Sequence, residues 1–132
     1  MIVVVAALVV GPDGRVLMVR KSGTDVFMNP GGKPEPGEDS IAALRRELVE
    51  EIGLDVPPES CEPLGIFLTD AANEPGEQLQ ATCFRIELGD PTHVIGAEIV
   101  ESVWLDPAHP PEALALAPLA VEYLNPIAAR TQ

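Results

Sequence analysis

Glu47, Glu50 and Glu51 are the residues of this chain whose type and spacing point most directly to chemistry. Positions 47 and 50 stand i,i+3 and positions 47 and 51 stand i,i+4, so in a helix all three carboxylates share one side. Each like-charge pair costs a bare helix about 0.2–0.5 kcal/mol. Mutual repulsion also raises the carboxyl pKa values. A hard divalent cation such as Mg²⁺ or Mn²⁺ reverses that balance, because it seeks carboxylate oxygens. The trio therefore points to a divalent metal site, and such a site to phosphate chemistry. Three glutamates on an amphipathic helix are more often just its wet face, so the surrounding residues must decide.

Those residues supply the element that would hold the trio. Glu38, Asp39 and Ser40 put acidic and capping groups where a helix begins. Ile41, Leu44, Leu48 and Ile52 recur at helical spacing as a buried stripe, and Gly53 stands where a helix-ending glycine belongs. The glutamates fall on an arc beside that stripe. Ahead of the helix runs a glycine- and proline-rich loop, with Gly31 and Gly32 able to bring backbone close to a ligand. From Gly32 to Leu54 the pattern is G-x5-E-x7-R-E-U-x-E-E-x-G-U, with U aliphatic. At average residue frequencies, a chance match in a chain of this length has a probability on the order of 10⁻⁸.

At every specified position this segment resembles the signature box of the Nudix hydrolases. Weaker similarity to the small MutT-like members extends over most of the chain. The resemblance implies an α/β protein, an α/β/α sandwich around a mixed β-sheet. It implies hydrolysis, dependent on Mg²⁺ (or Mn²⁺), of a nucleoside diphosphate linked to another moiety X by metal-assisted attack of water on phosphorus. A (d)NTP giving NMP and pyrophosphate is the favoured case. By the same resemblance Glu50 and Glu51 are the main metal ligands, and Glu47 is a ligand or the base that deprotonates water. The Gly31 carbonyl completes the metal shell, Arg46 orients Glu47, and Glu38 fixes the loop. A further carboxylate, ligand or general base, comes from just before the tryptophan-bearing strand. Glu98 fits that place and Glu101 competes with it.

The box leaves X open. Asp70 stands where members acting on ADP-ribose-type substrates tend to carry proline, which disfavours that class. Leu119 stands where readers of oxidised guanine carry asparagine, with Asn125 nearby but out of register. Arg20 and Lys21 are the nearest cations for a substrate phosphate, against an equal case for plain surface residues. Asn29 is a candidate to hydrogen-bond a base or simply to cap a turn. Phe27 and Phe84 are candidate stacking surfaces, with core packing their commoner use. Other functional classes are a nucleotide-binding module without catalysis and, more remotely, another diphosphate reaction such as isomerisation.

Composition bounds the rest. The 132 residues are 46% apolar, enough for one domain spanning 1–132 with a real core. Twenty-one acidic against eight basic residues give a net charge of −13, which argues against a nucleic-acid polymer as partner. A cation in the site would supply the positive charge that the side chains lack. The apolar start, 1–10, is too short to span a bilayer and lacks the marks of a signal peptide. Cys61 and Cys83 show neither metal-ligand spacing nor a disulfide framework. The expectation is a cytoplasmic protein, monomer or homodimer, acting on a small-molecule nucleotide away from membranes.

Along the chain, residues 2–10 and 15–20 read as strands of a hairpin across the Gly11–Gly14 turn. Short strands follow at 26–28 and 64–68, then longer ones at 79–88 and 99–105. Residues 112–125 read as helical, with Pro118 splitting that stretch or starting a second helix.

Overall fold

The computed structural model describes residues 1–131. Its strands are β1 (Ile2–Val10), β2 (Val16–Lys21), β3 (Val26–Met28), β4 (Gly31–Gly32), β5 (Glu62–Asp70), β6 (Gln78–Glu87), β7 (Ile99–Leu105) and β8 (Ala115–Leu116). Helix α1 covers Ser40–Ile52, a 3₁₀ turn covers Pro58–Ser60, and a π-helical turn, Ala120–Leu124, runs into α2, Asn125–Arg130.

β1 organises the molecule because its β-branched and small residues are buried on alternating sides. Val5, Ala7 and Val9 meet Ala43, Leu44, Leu48 and Ile52 of α1. Ala6, Leu8 and Val10 meet Leu119, Ala120, Leu124 and Ala128 on the opposite face. The result is a mixed sheet between two helical layers, as an α/β/α sandwich requires. Helix α1 begins as its sequence dictates: the Asp39 carboxylate accepts from the Ala42 N–H at 2.8 Å. It ends with Gly53 in the left-handed conformation, whose N–H reaches Val49 O at 3.1 Å.

The sheet positions the site by splitting. Residues 2–10 and 15–20 were expected as the strands of a hairpin, yet β1 pairs with β2 at Val10–Val16 and the two then diverge. β1 runs parallel to β6 over its whole length and also pairs with β4, while β2 pairs antiparallel with β7. The short Gly11–Gly14 turn holds the strands at one end only. Each strand then meets a partner from far along the chain, and that partner sets its direction. The glycine strand β4 lines the resulting divide, directly beside α1.

The C-terminal stretch also departs from expectation. Residues 115–116 form β8, parallel to β3 through Val26–Ala115 and Phe27–Leu116, where helix was expected from 112. Alanine and leucine favour helix intrinsically, but pairing with β3 outweighs a propensity of only a few tenths of a kcal/mol per residue. Helical structure starts at Pro118, which opens the second helical stretch rather than splitting a longer helix, and runs on into the π-helical turn. Cys61 and Cys83 are both free and buried, and burial pushes the Cys83 thiol up to about 12.

Leu48 is fully buried between α1 and the sheet. Leu48→Ala is expected to lower the unfolding free energy by about 2–5 kcal/mol. Urea titration should show a shifted midpoint at an unchanged slope.

Candidate functional site

A cavity of about 520 Å³ opens between the two halves of the sheet, beside the N-terminal half of β1 and against α1. Glu47, Glu50 and Glu51 line it together with Gly31 and Gly32. The structure thus brings the box residues to one wall.

Close approach of backbone and carboxylate explains both glycines. A Cβ on Gly32 would sit 2.7 Å from the Glu47 carboxyl carbon, so a side chain there would push the carboxylate out of this position. Gly31 has φ +156°, and a Cβ there would lie 2.1 Å from the Val5 carbonyl oxygen. With the strand seated this way, the Gly31 N–H donates to Glu51 Oε1 at 3.2 Å.

Glu51 is the unusual group. It is 3% exposed, an extreme for a carboxylate. Burial pushes its pKa up to about 8, helped by a hydrogen bond and repulsion from Glu47, while the Gly31 N–H and the charge of Lys21 pull the other way. Glu47 is itself mostly buried, whereas Glu50 is 48% exposed.

Arg46 ties the box to its loop. Its guanidinium donates to both oxygens of Glu38 at 2.8 and 2.9 Å, to Glu47 Oε1 at 2.9 Å, and to the Lys33 carbonyl at 3.2 Å. It also reaches Glu50 Oε2 at 3.4 Å. Glu38 completes the loop by accepting from the Glu35 N–H at 2.8 Å. The Arg46 hydrogen bonds hold the Glu38 carboxyl well down, at about 2, and push the guanidinium further up.

Among the described residues no three His, Cys, Asp or Glu side chains already stand in metal-holding geometry. The trio is not a finished cage: Glu47 and Glu51 lie together, and Glu50 turns toward Arg46. The donor set nevertheless fits a hard divalent ion. Two adjoining carboxylates, one of them buried and held protonated toward neutral pH, gain from a cation that replaces the proton.

The remaining candidates separate. Glu98 lines the cavity and pairs with Lys21 at 3.6 Å, whereas Glu101 pairs with Arg20 at 3.0 Å. Segment 94–98 hangs on α1: the Val94 N–H donates to Ile52 O and the Gly96 N–H to Glu51 O, both at 3.0 Å. Ala97 then takes φ +52°, a conformation uncommon for a residue with a Cβ, immediately before Glu98. Lys21 and Asn29 line the cavity. Arg20 is not among the lining residues described; it donates to Glu101 and to the Thr24 carbonyl, bracing the turn after β2. Phe84 and Phe27 are core residues, each 5% exposed, on opposite faces of the sheet, so neither ring is free to stack. Leu119 sits on the cavity wall.

Lys33 was missed by the sequence reading, although it directly follows the glycine pair. It lines the cavity, and among the described residues its ammonium group has no ion-pair partner. Asp70, Asn73 and Glu74, from the β5–β6 connection, form another stretch of wall that spacing alone could not reveal. The wall carries seven carboxylates (Glu35, Glu47, Glu50, Glu51, Asp70, Glu74 and Glu98) against Lys21, Lys33 and Arg46.

The NUDIX domain family matches residues 2–125. The chain belongs to the Nudix family. It is 46% identical over 50 residues to an RNA pyrophosphohydrolase of Halorhodospira halophila, a stretch covering 38% of this chain and 28% of that protein. An RNA pyrophosphohydrolase of Legionella pneumophila matches at 43% over 51 residues, again 29% of its length. These shared stretches span less than a third of the curated relatives. Among solved structures, the E. coli ORF135 protein superposes with TM-score 0.72 at 29% identity, over 98% of this Nudix chain and 91% of its own. The Nudix domain of Shewanella oneidensis NrtR, solved with ADP ribose, gives TM-score 0.76 at 17% identity, over 100% and 89%. That likeness is one of fold.

The raised Glu51 pKa has a signed consequence. Between about pH 4.5 and about 8 the folded protein without metal holds a proton that the unfolded chain has released. Stability contributed by this group is therefore present below pH 4.5 and is lost as pH rises through about 8. The lowered carboxyls of Glu38, Asp90 and Asp106 act at more acid pH. Melting temperatures of chelator-treated protein are expected to fall across that window, with added Mg²⁺ stabilising more at pH 8.5 than at pH 6. Glu51→Gln should remove both trends.

Proposed function

We propose that this protein is a divalent-metal-dependent pyrophosphohydrolase that cleaves the phosphoanhydride bond of a nucleoside diphosphate linked to a moiety X. A (d)NTP yielding NMP and pyrophosphate is the favoured substrate. The observation that carries the reading is the buried Glu47–Glu51 pair beside the Gly31–Gly32 pair, on the wall of a cavity roomy enough for a nucleotide. The name of the matched relatives, RNA pyrophosphohydrolase, supports the same bond class and adds a triphosphate-ended RNA as a substrate to compare.

In this reading Glu47, Glu50, Glu51 and the Gly31 carbonyl hold the metal, with Glu98 approaching from its strap. A bound Mg²⁺ or Mn²⁺ would offset phosphate charge and make water a better nucleophile. The chain's own groups do the rest. Arg46 and Gly32 fix the Glu47 carboxylate, which takes the proton of the attacking water, with Glu98 the competing base. Water oxygen bonds to one phosphorus, the bridging P–O bond breaks in line, and its electron pair leaves on the other phosphate. Lys33, the unpaired cation of the wall, meets a phosphate oxygen, and Lys21 does so on release from Glu98. Glu38 and Arg46 keep the glycine loop in place.

A panel of nucleoside triphosphates, nucleoside diphosphate sugars, dinucleoside polyphosphates and a triphosphate-ended RNA, read by phosphate release with Mg²⁺, tests the reading. Turnover should vanish with chelator, and Glu50→Gln should lower kcat by about 10²–10⁴-fold. No hydrolysis of any member would refute it, and tight binding without turnover would favour a sensing module instead.

The two basic positions should separate kinetically. Lys33→Ala is expected to raise KM about tenfold, as befits one lost charge-assisted hydrogen bond. Arg20→Ala should leave KM nearly unchanged and show only a small loss of melting temperature.

A further inference from the structure

We propose that Asn29 is the base-reading residue of the cavity, its amide pairing with a nucleobase edge that sets a donor beside an acceptor. The inference rests on the nucleotide reading above and deepens it.

Asn29 is 6% exposed, lines the cavity, and among the described residues has no hydrogen-bond partner at either its amide oxygen or its amide nitrogen. Nearly all buried side-chain polar atoms are paired in folded proteins, so an amide left wholly unmatched asks for an explanation. Its backbone is not free to swing away, because the next carbonyl, that of Pro30, accepts from the Ala7 N–H at 2.8 Å. The neighbouring wall is apolar: Val4, Ala6, Met28, Leu79 and Leu119 share the cavity. A polar fork set among apolar side chains suits a flat heteroaromatic ring. A carboxamide presents one acceptor beside two N–H donors. Nucleobase edges offer the complementary pair, as in the bidentate contact of Asn with adenine.

Chain position agrees with this. Asn29 lies two residues before the glycine strand whose neighbours are the Glu47 and Glu51 carboxylates. One nucleotide, with its base at Asn29 and its phosphates against α1, would span the two. The amide atoms are shielded from solvent in this structure, so a base reaches them only when neighbouring side chains change rotamer. Leu119 leads into the π-helical turn Ala120–Leu124, a rare geometry found most often at functional sites. Asn125 provides an internal contrast. It is buried too, at 3% exposure, and likewise has no hydrogen-bond partner among the described residues, but it is not among those that line the cavity.

The experiment compares wild type with Asn29→Leu, Asn29→Ser and Asn125→Leu. It reads kcat and KM on the best nucleotide of the panel, calorimetric binding of the matching nucleoside monophosphate, and melting temperature without ligand. Asn29→Leu should raise KM about 10- to 100-fold with kcat within about threefold, the size of a lost paired polar contact. Its melting temperature should hold or rise, because an unpaired buried amide has gone. Asn125→Leu should leave KM unchanged. An unchanged KM in Asn29→Leu, or an equal rise in Asn125→Leu, overturns the proposal. Should Asn29→Leu fail to fold, Asn29→Ser decides by the same KM criterion. Wild type that turns over no nucleotide sinks the functional reading instead. Monophosphate binding then decides alone: weakening confined to Asn29→Leu supports the assignment, and no binding or no weakening overturns it.

Discussion

Two carboxylates brought together in a protein wall set the terms for the rest of this molecule. Glu47 and Glu51 adjoin, the latter almost wholly shielded from water, and their ionised forms repel. A carboxylate so placed is tolerated when protonated or when a cation stands by. The surrounding architecture keeps the pair in place. Gly32 has no side chain where Glu47 needs space, Gly31 turns its N–H toward Glu51, and β1 holds both glycines by strand pairing. The hydrophobic stripe of α1 anchors the helix from the other side.

Arg46 answers a different need. Its fork joins the loop glutamate, the base of the loop and two helix glutamates, so loop and helix form one rigid unit. It also shows why eight basic residues suffice. Arg46, Arg20, Arg45 and Arg85 are spent on structural pairing, and Lys33 stays open toward the cavity. The wall keeps an excess of negative charge, seven carboxylates against Lys21, Lys33 and Arg46.

The helix, its boundaries and its glycine loop were legible because they are local. Capping at Asp39, the stripe through Leu44, Leu48 and Ile52, and the stop at Gly53 each follow from neighbours a few residues apart. The parting of β1 and β2 was not legible, since it depends on β6 and β7, which arrive much later in the chain. β8 was hidden for the same reason: Ala115–Leu116 is helix-forming in isolation and takes strand geometry from β3. In the site, the box supplied the carboxylate wall. Lys33 escaped notice because a lone lysine beside glycines carries no periodicity. Phe84 was open to two readings, stacking surface or, more commonly, core, and packing by distant segments of the chain decides for the core.

The two hydrogen bonds by which Val94 and Gly96 grip the end of α1 have a mechanical consequence. They splice a surface excursion onto the last carbonyls of the helix, in register with Glu51. Glu98 therefore rides on the helix terminus rather than swinging as part of a free loop. Upstream of the splice, His93 is tied in turn to Ser102 at 2.9 Å, so a change of length is best absorbed in residues 89–92. Beyond Val94, one added residue would change the distance between opposing carboxylates.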